Sequence, residues 1–289
     1  MGQGIAHVVA QCAAEELHLP YDRVKVLLCD TDRTPNGGPT TASRQTYVTG
    51  NAARLASAAL REALTRSAAE LMDVPPEQIY YEEGLLRSNG HAVPMGDVVK
   101  WMKSTGLSPL TKYEYYAPQT QPLGTGGDMH FAFSYATQAA LVQVDLETGE
   151  VKVLKVLSAT DIGRAINPLM LQGQIEGGIV MALGNCLTES FILENGVPWS
   201  HLLARYKMPS IKHAPEIVSH LVEHRSADGP YGAKGVGEIP SINTTPAICN
   251  AITNATGVRI FSIPVDQDAL LLALKRGERD VHTAWHDVK

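Results

Sequence analysis

The chain has 289 residues, 44% of them apolar and 19% charged, with a formal net charge of −6; that length buries a sizeable core and suits two compact lobes. The acidic balance argues against nucleic acid as a partner, because polyanion binding rests on clustered Lys and Arg. The longest apolar stretch, the glycine-broken EGGIVMALGNCL at 176–187, is too short to span a membrane, and the opening MGQGIAHVVAQC carries no basic leader, so the expectation is a cytoplasmic protein without a membrane partner.

In chain order, Ile5, Val8, Val9, Cys12 and Ala13 recur at helical spacing and predict a helix over 5–18. VKVLLCD at 24–30 has the β-branched, leucine-rich character of a strand, and the following TDRTPNGGPTTASRQT is turn chemistry. Leu55, Ala59, Leu60, Ala63, Leu64 and Leu71 form the apolar stripe of a long helix that begins close to Ser43. IYYEEGLLRS reads as a short hairpin and DVVKWMKS as a helix, followed by a proline- and glycine-bearing loop over 107–128. FAFSYATQAALVQVDL and VKVLKVLSAT read as antiparallel strands turned by Glu147, Thr148 and Gly149. Asn167-Pro168 opens a helix to 190, EIVSHLVEH reads as a strand, and a helix follows over 244–256. Mixed helices and antiparallel strands give an α+β class with approximate lobes 1–128 and 129–289.

Cys12, Cys29, Cys186 and Cys249 form no C-x-x-C pair, which excludes the usual iron–sulfur or zinc-ribbon spacing and places any continuing redox chain on another polypeptide. HLVEH at 220–224 matches the H-x-x-E-H pattern of some zinc peptidases. That chemistry needs His220, Glu223 and His224 on one helix face, whereas Ile and Val around them favour a strand that turns Glu223 away.

YGAKGVGEIP at 231–240 sets Gly232, Gly235 and Gly237 ahead of a single carboxylate, Glu238. Lys234 is followed by Gly235 rather than Ser or Thr, so the phosphate-loop pattern fails, and the dinucleotide fingerprint lacks its third glycine. The glycines mark either a turn ahead of a helix or a backbone that another group approaches closely. Three further polar, glycine-bearing or turn segments lie at expected helix starts: MGQG, PTTASRQ and LQGQIEGG. Helix N-termini offer unpaired N–H groups that suit an anionic cofactor.

In this order and spacing MGQG, PTTAS, VDLETGEVKVL with DIGRAINP, GQIEGGIVMALG and YGAKGVGE resemble the molybdenum-binding large subunit of the xanthine dehydrogenase and aldehyde oxidase family, over nearly the whole chain. The resemblance implies intertwined mixed-sheet lobes and a molybdopterin, either plain or as its cytosine dinucleotide. It matches Met1, Gly2 and Gln3 to one pterin-contacting loop, Thr40, Ala42, Ser43 and Gln45 to a second, and Gln174 to a pterin-contacting glutamine. Lys234, Gly235 and Gly237 line the approach, and Glu238 matches the catalytic carboxylate; the protein itself ligates no metal, which is held through the pterin dithiolene. A general base there takes a proton as water-derived oxygen enters an electron-poor carbon, and burial in a closed pocket would raise its pKa.

The same resemblance implies two electrons passed to iron–sulfur and FAD subunits, with a purine of the xanthine or hypoxanthine type as substrate and nicotinate-like heterocycles or aldehydes as alternatives. Family members usually carry a further upstream half that grips substrate, so a second large-subunit part is expected as partner, through either a split subunit or a truncated product. A non-catalytic remnant that only helps hold cofactor is the alternative of another class.

Overall fold

The computed structural model describes residues 2–281. Contacts divide the chain into two units, each assembled from separated stretches. The first takes the chain up to Phe133 with Gly163–Asn167 and His224–Gly235, and the second takes Ser134–Ile162, Pro168–Glu223 and the chain from Val236 onward.

In the first unit, α1 (Ile5–Leu17) buries Ala10, Cys12, Ala14 and Leu17 and stops at His18, whose φ of 50° ends the helix while its N–H bonds back to Ala14 and Glu15. The long α2 (Gln45–Met72) lays Leu64 and Ala68 onto that face, with Leu60 and Ala63 beside them. Three short antiparallel strands follow, β1 (Tyr80–Glu82), β2 (Leu85–Ser88) and β3 (His91–Pro94), and then α3 (Met95–Ser104). Leu17, Leu64, Ala68, Leu86, Val98 and Met102 close the core, each large side chain contributing about 1.5–3 kcal/mol on burial.

Two features differ from expectation. Residues 24–30 pair with no strand among the described residues; they run alternately half-buried and exposed, Leu27 being 45% exposed. Strand-like composition records a fit to a pleated surface and says nothing of whether a neighbour exists. The third strand, His91–Pro94, was not expected, since four residues ending in proline carry too short an alternation to read. The segment 107–128 forms no helix or strand, yet the Thr111 hydroxyl donates to the Ala56 carbonyl at 2.8 Å, and the Tyr47 ring meets Tyr115 at 6.2 Å and Phe131 at 5.0 Å.

In the second unit, β4 (Ala136–Val144) and β5 (Val151–Asp161) pair antiparallel across the expected turn. There the Asp145 carboxylate accepts the Glu147 and Thr148 N–H groups at 2.8 and 3.0 Å, which holds its carboxyl below the usual range. Leu154 is left over between two paired stretches, a bulge that lets both Val153 and Val156 face inward although they lie three residues apart. The chain then passes through α4 (Pro168–Leu187), the hairpin of β6 (Leu193–Glu194) and β7 (Val197–Pro198), and α5 (Leu203–Tyr206). It returns as β8 (Glu216–Val222), parallel to β5.

Next comes α6 (Ile239–Thr256), which opens five residues ahead of the expected 244 because Pro240 occupies its first turn and needs no N–H partner there. It covers one face of the sheet. The Gln138 amide donates to the Pro240 carbonyl at 2.9 Å and accepts the Thr244 hydroxyl. The unit ends with β9 (Arg259–Ile260), α7 (Gln267–Arg276) and β10 (Asp280–Val281), β10 lying parallel to β9. Among the described residues no helix is long and apolar enough to cross a membrane.

Candidate functional site

In the first unit Gly2 and Gly4 hold left-handed φ values of 90° and 85°, so the chain at Gln3 turns sharply into α1. Met1 lies outside the described residues. The second loop, 37–44, is exposed up to Ala42 and organised from within. The Asn36 side chain accepts the Gly38 N–H at 2.9 Å, the Arg44 guanidinium donates to the Pro39 carbonyl at 2.9 Å, and the Gln45 amide reaches the Thr40 hydroxyl at 3.2 Å while accepting the Thr49 hydroxyl at 2.6 Å. Ala42 and Ser43 both sit at φ 52°, a left-handed pair without glycine that turns the chain into α2. The N-cap residues of α1, α2 and α6, which are Gly4, Arg44 and Glu238, make no side-chain cap hydrogen bond.

The glycine loop reaches the same region of the first unit. A Cβ on Gly235 would clash with the Ser43 carbonyl oxygen and stand 2.7 Å from its carbon, so the two backbones lie in direct contact. Gly235 is glycine for that approach; its φ is not left-handed. Gly163 packs in the same manner against Gly232 and Lys234, and the Arg164 N–H donates to the Gly232 carbonyl at 2.9 Å. Lys234 is only 8% exposed.

In the second unit Gln174 lies half-buried on α4, about one turn before Gly178. A Cβ on Gly178 would stand 3.0 Å from the Pro240 side chain, so α4 crosses close to the start of α6. Glu238 occupies the N-cap position of α6, with Gly237 before it, and its carbonyl accepts the Ser241 N–H and hydroxyl at 3.0 and 2.8 Å. Both Gly237 and Glu238 are exposed in this chain rather than enclosed in a pocket. The first three residues of HLVEH end strand β8, with His220 opposite Ala159 of β5, and Glu223 and His224 follow in irregular chain, so the helical face that the zinc pattern needs does not form.

Sequence reasoning passed over the residues that hold the glycine loop in place. Asn51, 1% exposed, donates its amide to the Asp228 carbonyl at 2.7 Å. The Pro230 ring fills the space left by the missing side chain of Gly50. The Tyr231 hydroxyl donates to the Glu16 carboxylate at 3.0 Å, and burial first, then that bond, raises the phenol pKa and keeps it a donor. They come from three separate stretches, at 16, 50–51 and 228–231, and the signal among them was a Glu on the inward face of a helix of apolar periodicity.

Residues 1–215 match the family model described as the molybdopterin cofactor-binding domain. The gamma subunit of the 6-hydroxypseudooxynicotine dehydrogenase complex of Paenarthrobacter nicotinovorans is 32% identical over 281 residues, covering 93% of this chain and 34% of that protein. The xanthine dehydrogenase molybdenum-binding subunit of Escherichia coli O157:H7 is 32% identical over 277 residues, covering 92% and 35%. Among solved structures, quinoline 2-oxidoreductase from Pseudomonas putida 86 matches with a TM-score of 0.80 at 25% identity, over 95% of this chain and 35% of that one. The chain thus spans about a third of the length of the curated relatives it matches.

Proposed function

The chain belongs to the molybdopterin cofactor-binding domain family, and from that membership we propose that it is the cofactor-holding part of a molybdenum hydroxylase acting on a purine of the xanthine or hypoxanthine type. The observation that carries this reading is the contact of Gly235 with the Ser43 carbonyl. Two segments remote in sequence, both expected at the pterin, meet there backbone to backbone.

The donor set suits an anionic, hydrogen-bonding group. In this reading Gly2, Gln3, Thr40, Ala42, Ser43 and Gln45 offer amide and hydroxyl groups to the pterin and its phosphate, beside the N–H groups at the starts of α1 and α2. Met1 belongs to the same proposed set, and Gln174 adds an amide from α4. When bound, the cofactor would supply a molybdenum centre that accepts two electrons and activates water. Glu238 is the general base: its carboxylate takes the proton released as oxygen is transferred, and Gly237 keeps the backbone before it free of side-chain bulk. Lys234 and Gly235 shape the approach, and the Lys234 ammonium balances charge near the cofactor.

Electrons would leave through iron–sulfur and FAD subunits. A further part of the large subunit would grip the substrate and enclose Glu238. The outer face of the second unit's sheet supports a covering partner: Leu141, Leu157 and Val218 are 57%, 47% and 43% exposed there. Xanthine in one relative's name favours the purine reading; nicotine- and quinoline-derived names favour a second, in which the substrate is another electron-poor nitrogen heterocycle. The experiment is anaerobic purification of the tagged chain from its native host with its partners, followed by molybdenum and pterin analysis and oxygen-18 water labelling with xanthine, hypoxanthine and nicotinate. Molybdenum with labelled product from a purine is the expected result, labelled nicotinate product alone would select the second reading, and a complex free of molybdenum would refute both.

A further inference from the structure

The glycine loop does not hold its own shape. Tyr231 sits at φ 55° and ψ 17°, a left-handed conformation that a bulky residue adopts only when its surroundings impose it. Three contacts impose it, all within the first unit. Its hydroxyl lies 3.0 Å from the Glu16 carboxylate and 3.3 Å from the Cys12 carbonyl, and the Arg54 guanidinium stands 6.0 Å from the ring centroid. Glu16 is only 7% exposed and is itself paired with Arg61 at 3.4 Å, so the acceptor is fixed before Tyr231 reaches it.

Neither Glu16 nor Tyr231 belongs to the proposed cofactor contacts, but the turn they lock leads straight to two of them. Gly232 donates its N–H to the Gly229 carbonyl and Ala233 to the Pro230 carbonyl, a single 3-10 turn, and two residues later Gly235 lies on Ser43. We propose that Tyr231, held by the Glu16 carboxylate, is a positioning residue that fixes the 230–235 loop against Ser43, and that cofactor retention depends on this lock. Only the cofactor clause rests on the molybdopterin reading. Without the hydroxyl, the left-handed turn loses its anchor and the Gly235 backbone is free to lift from the Ser43 carbonyl.

The test uses the purified native complex carrying Tyr231→Phe, Glu16→Gln or Glu16→Leu, read by hydrogen exchange of the peptide covering 230–235 and by molybdenum per large subunit. Tyr231→Phe should raise exchange at Gly232 and Ala233 about tenfold while amides of α3 keep their protection, which separates loss of the lock from general destabilisation. Glu16→Gln should fall between wild type and Glu16→Leu in both readouts, because the glutamine carbonyl still accepts the tyrosine hydroxyl; this is a rescue that a purely packing role would not give. Molybdenum content should drop several-fold in Tyr231→Phe. Unchanged exchange in Tyr231→Phe would overturn the lock, and raised exchange with full molybdenum would overturn its role in cofactor retention. A wild-type complex without molybdenum would refute the cofactor reading together with the retention clause, and the exchange arm would still decide whether the lock exists.

Discussion

Replacing Gly235 by alanine adds one methyl group where the structure has no room for it. The new Cβ would stand far inside contact distance of the Ser43 carbonyl oxygen and 2.7 Å from its carbon, against an ordinary contact of 3.4 Å or more, so the backbones must part by at least about 0.7 Å at the carbon and further at the oxygen. A flexible side chain could rotate away, but a carbonyl between two left-handed residues and the first turn of α2 cannot move alone. Overpacking of this kind costs about 1–3 kcal/mol, and the backbone partner places Gly235→Ala near the upper end. That corresponds to a Tm lower by roughly 6–12 °C for a domain of this size, measured by circular dichroism or differential scanning fluorimetry and accompanied by loss of molybdenum. The control is Gly177→Ala in the exposed interior of α4, where a Cβ meets nothing within 4 Å. It should stabilise by about 0.5–1 kcal/mol through lower unfolded-state entropy and better helix propensity. An unchanged Tm and full cofactor content in Gly235→Ala, with the control behaving as stated, would refute the close-approach argument.

Glu238→Gln should keep molybdenum but lose at least about 100-fold in turnover, because an amide accepts no proton; near-normal kcat in the assembled complex would remove Glu238 from the chemistry. Gln174→Ala should lower molybdenum and pterin content while leaving Tm close to wild type, since Gln174 is half-buried, and full occupancy would undo its assignment. Alkylation near neutral pH followed by mass spectrometry should label exposed Cys29 first. Cys12, whose thiol burial pushes up to about 11, stays protonated until well above neutral pH and should be slow. Cys186 is buried beside Cys249 with the sulfurs 3.8 Å apart, and the hydrogen bond to Cys249 followed by burial raises its pKa, so it should label last; early labelling of Cys186 would contradict the packing of α4 on α6. The chain by itself should turn over no substrate, which an active, metal-loaded single-chain preparation would disprove.

The elements that the sequence announced are those whose cause is local. Apolar residues at helical spacing mark α1 and α2, Asn167-Pro168 marks the start of α4, and Glu147-Thr148-Gly149 turns β4 into β5 because Asp145 caps that turn from three residues away. Three of the cofactor-type segments, MGQG, PTTAS and YGAKGVGE, were equally local, short runs of glycine and small polar residues ahead of a helix, whereas GQIEGG, expected at a helix start, lies within α4.

What required the tertiary structure is whatever depends on a remote neighbour. VKVLLCD has strand composition and no strand partner among the described residues, whereas β8 has one, parallel to β5 and more than fifty residues downstream of it in the chain. The bulge at Leu154 exists only because β4 pairs across it. Residues 163–167 and 224–235 join the first unit although the sequence around each belongs to the second, since membership follows contacts such as Arg164 to Gly232 and Asn51 to Asp228 rather than chain order. Gly235 illustrates the division most directly. Its sequence neighbours made it one of several glycines in a flexible run, and only the folded chain, by placing the Ser43 carbonyl where a Cβ would stand, gives the reason it is glycine.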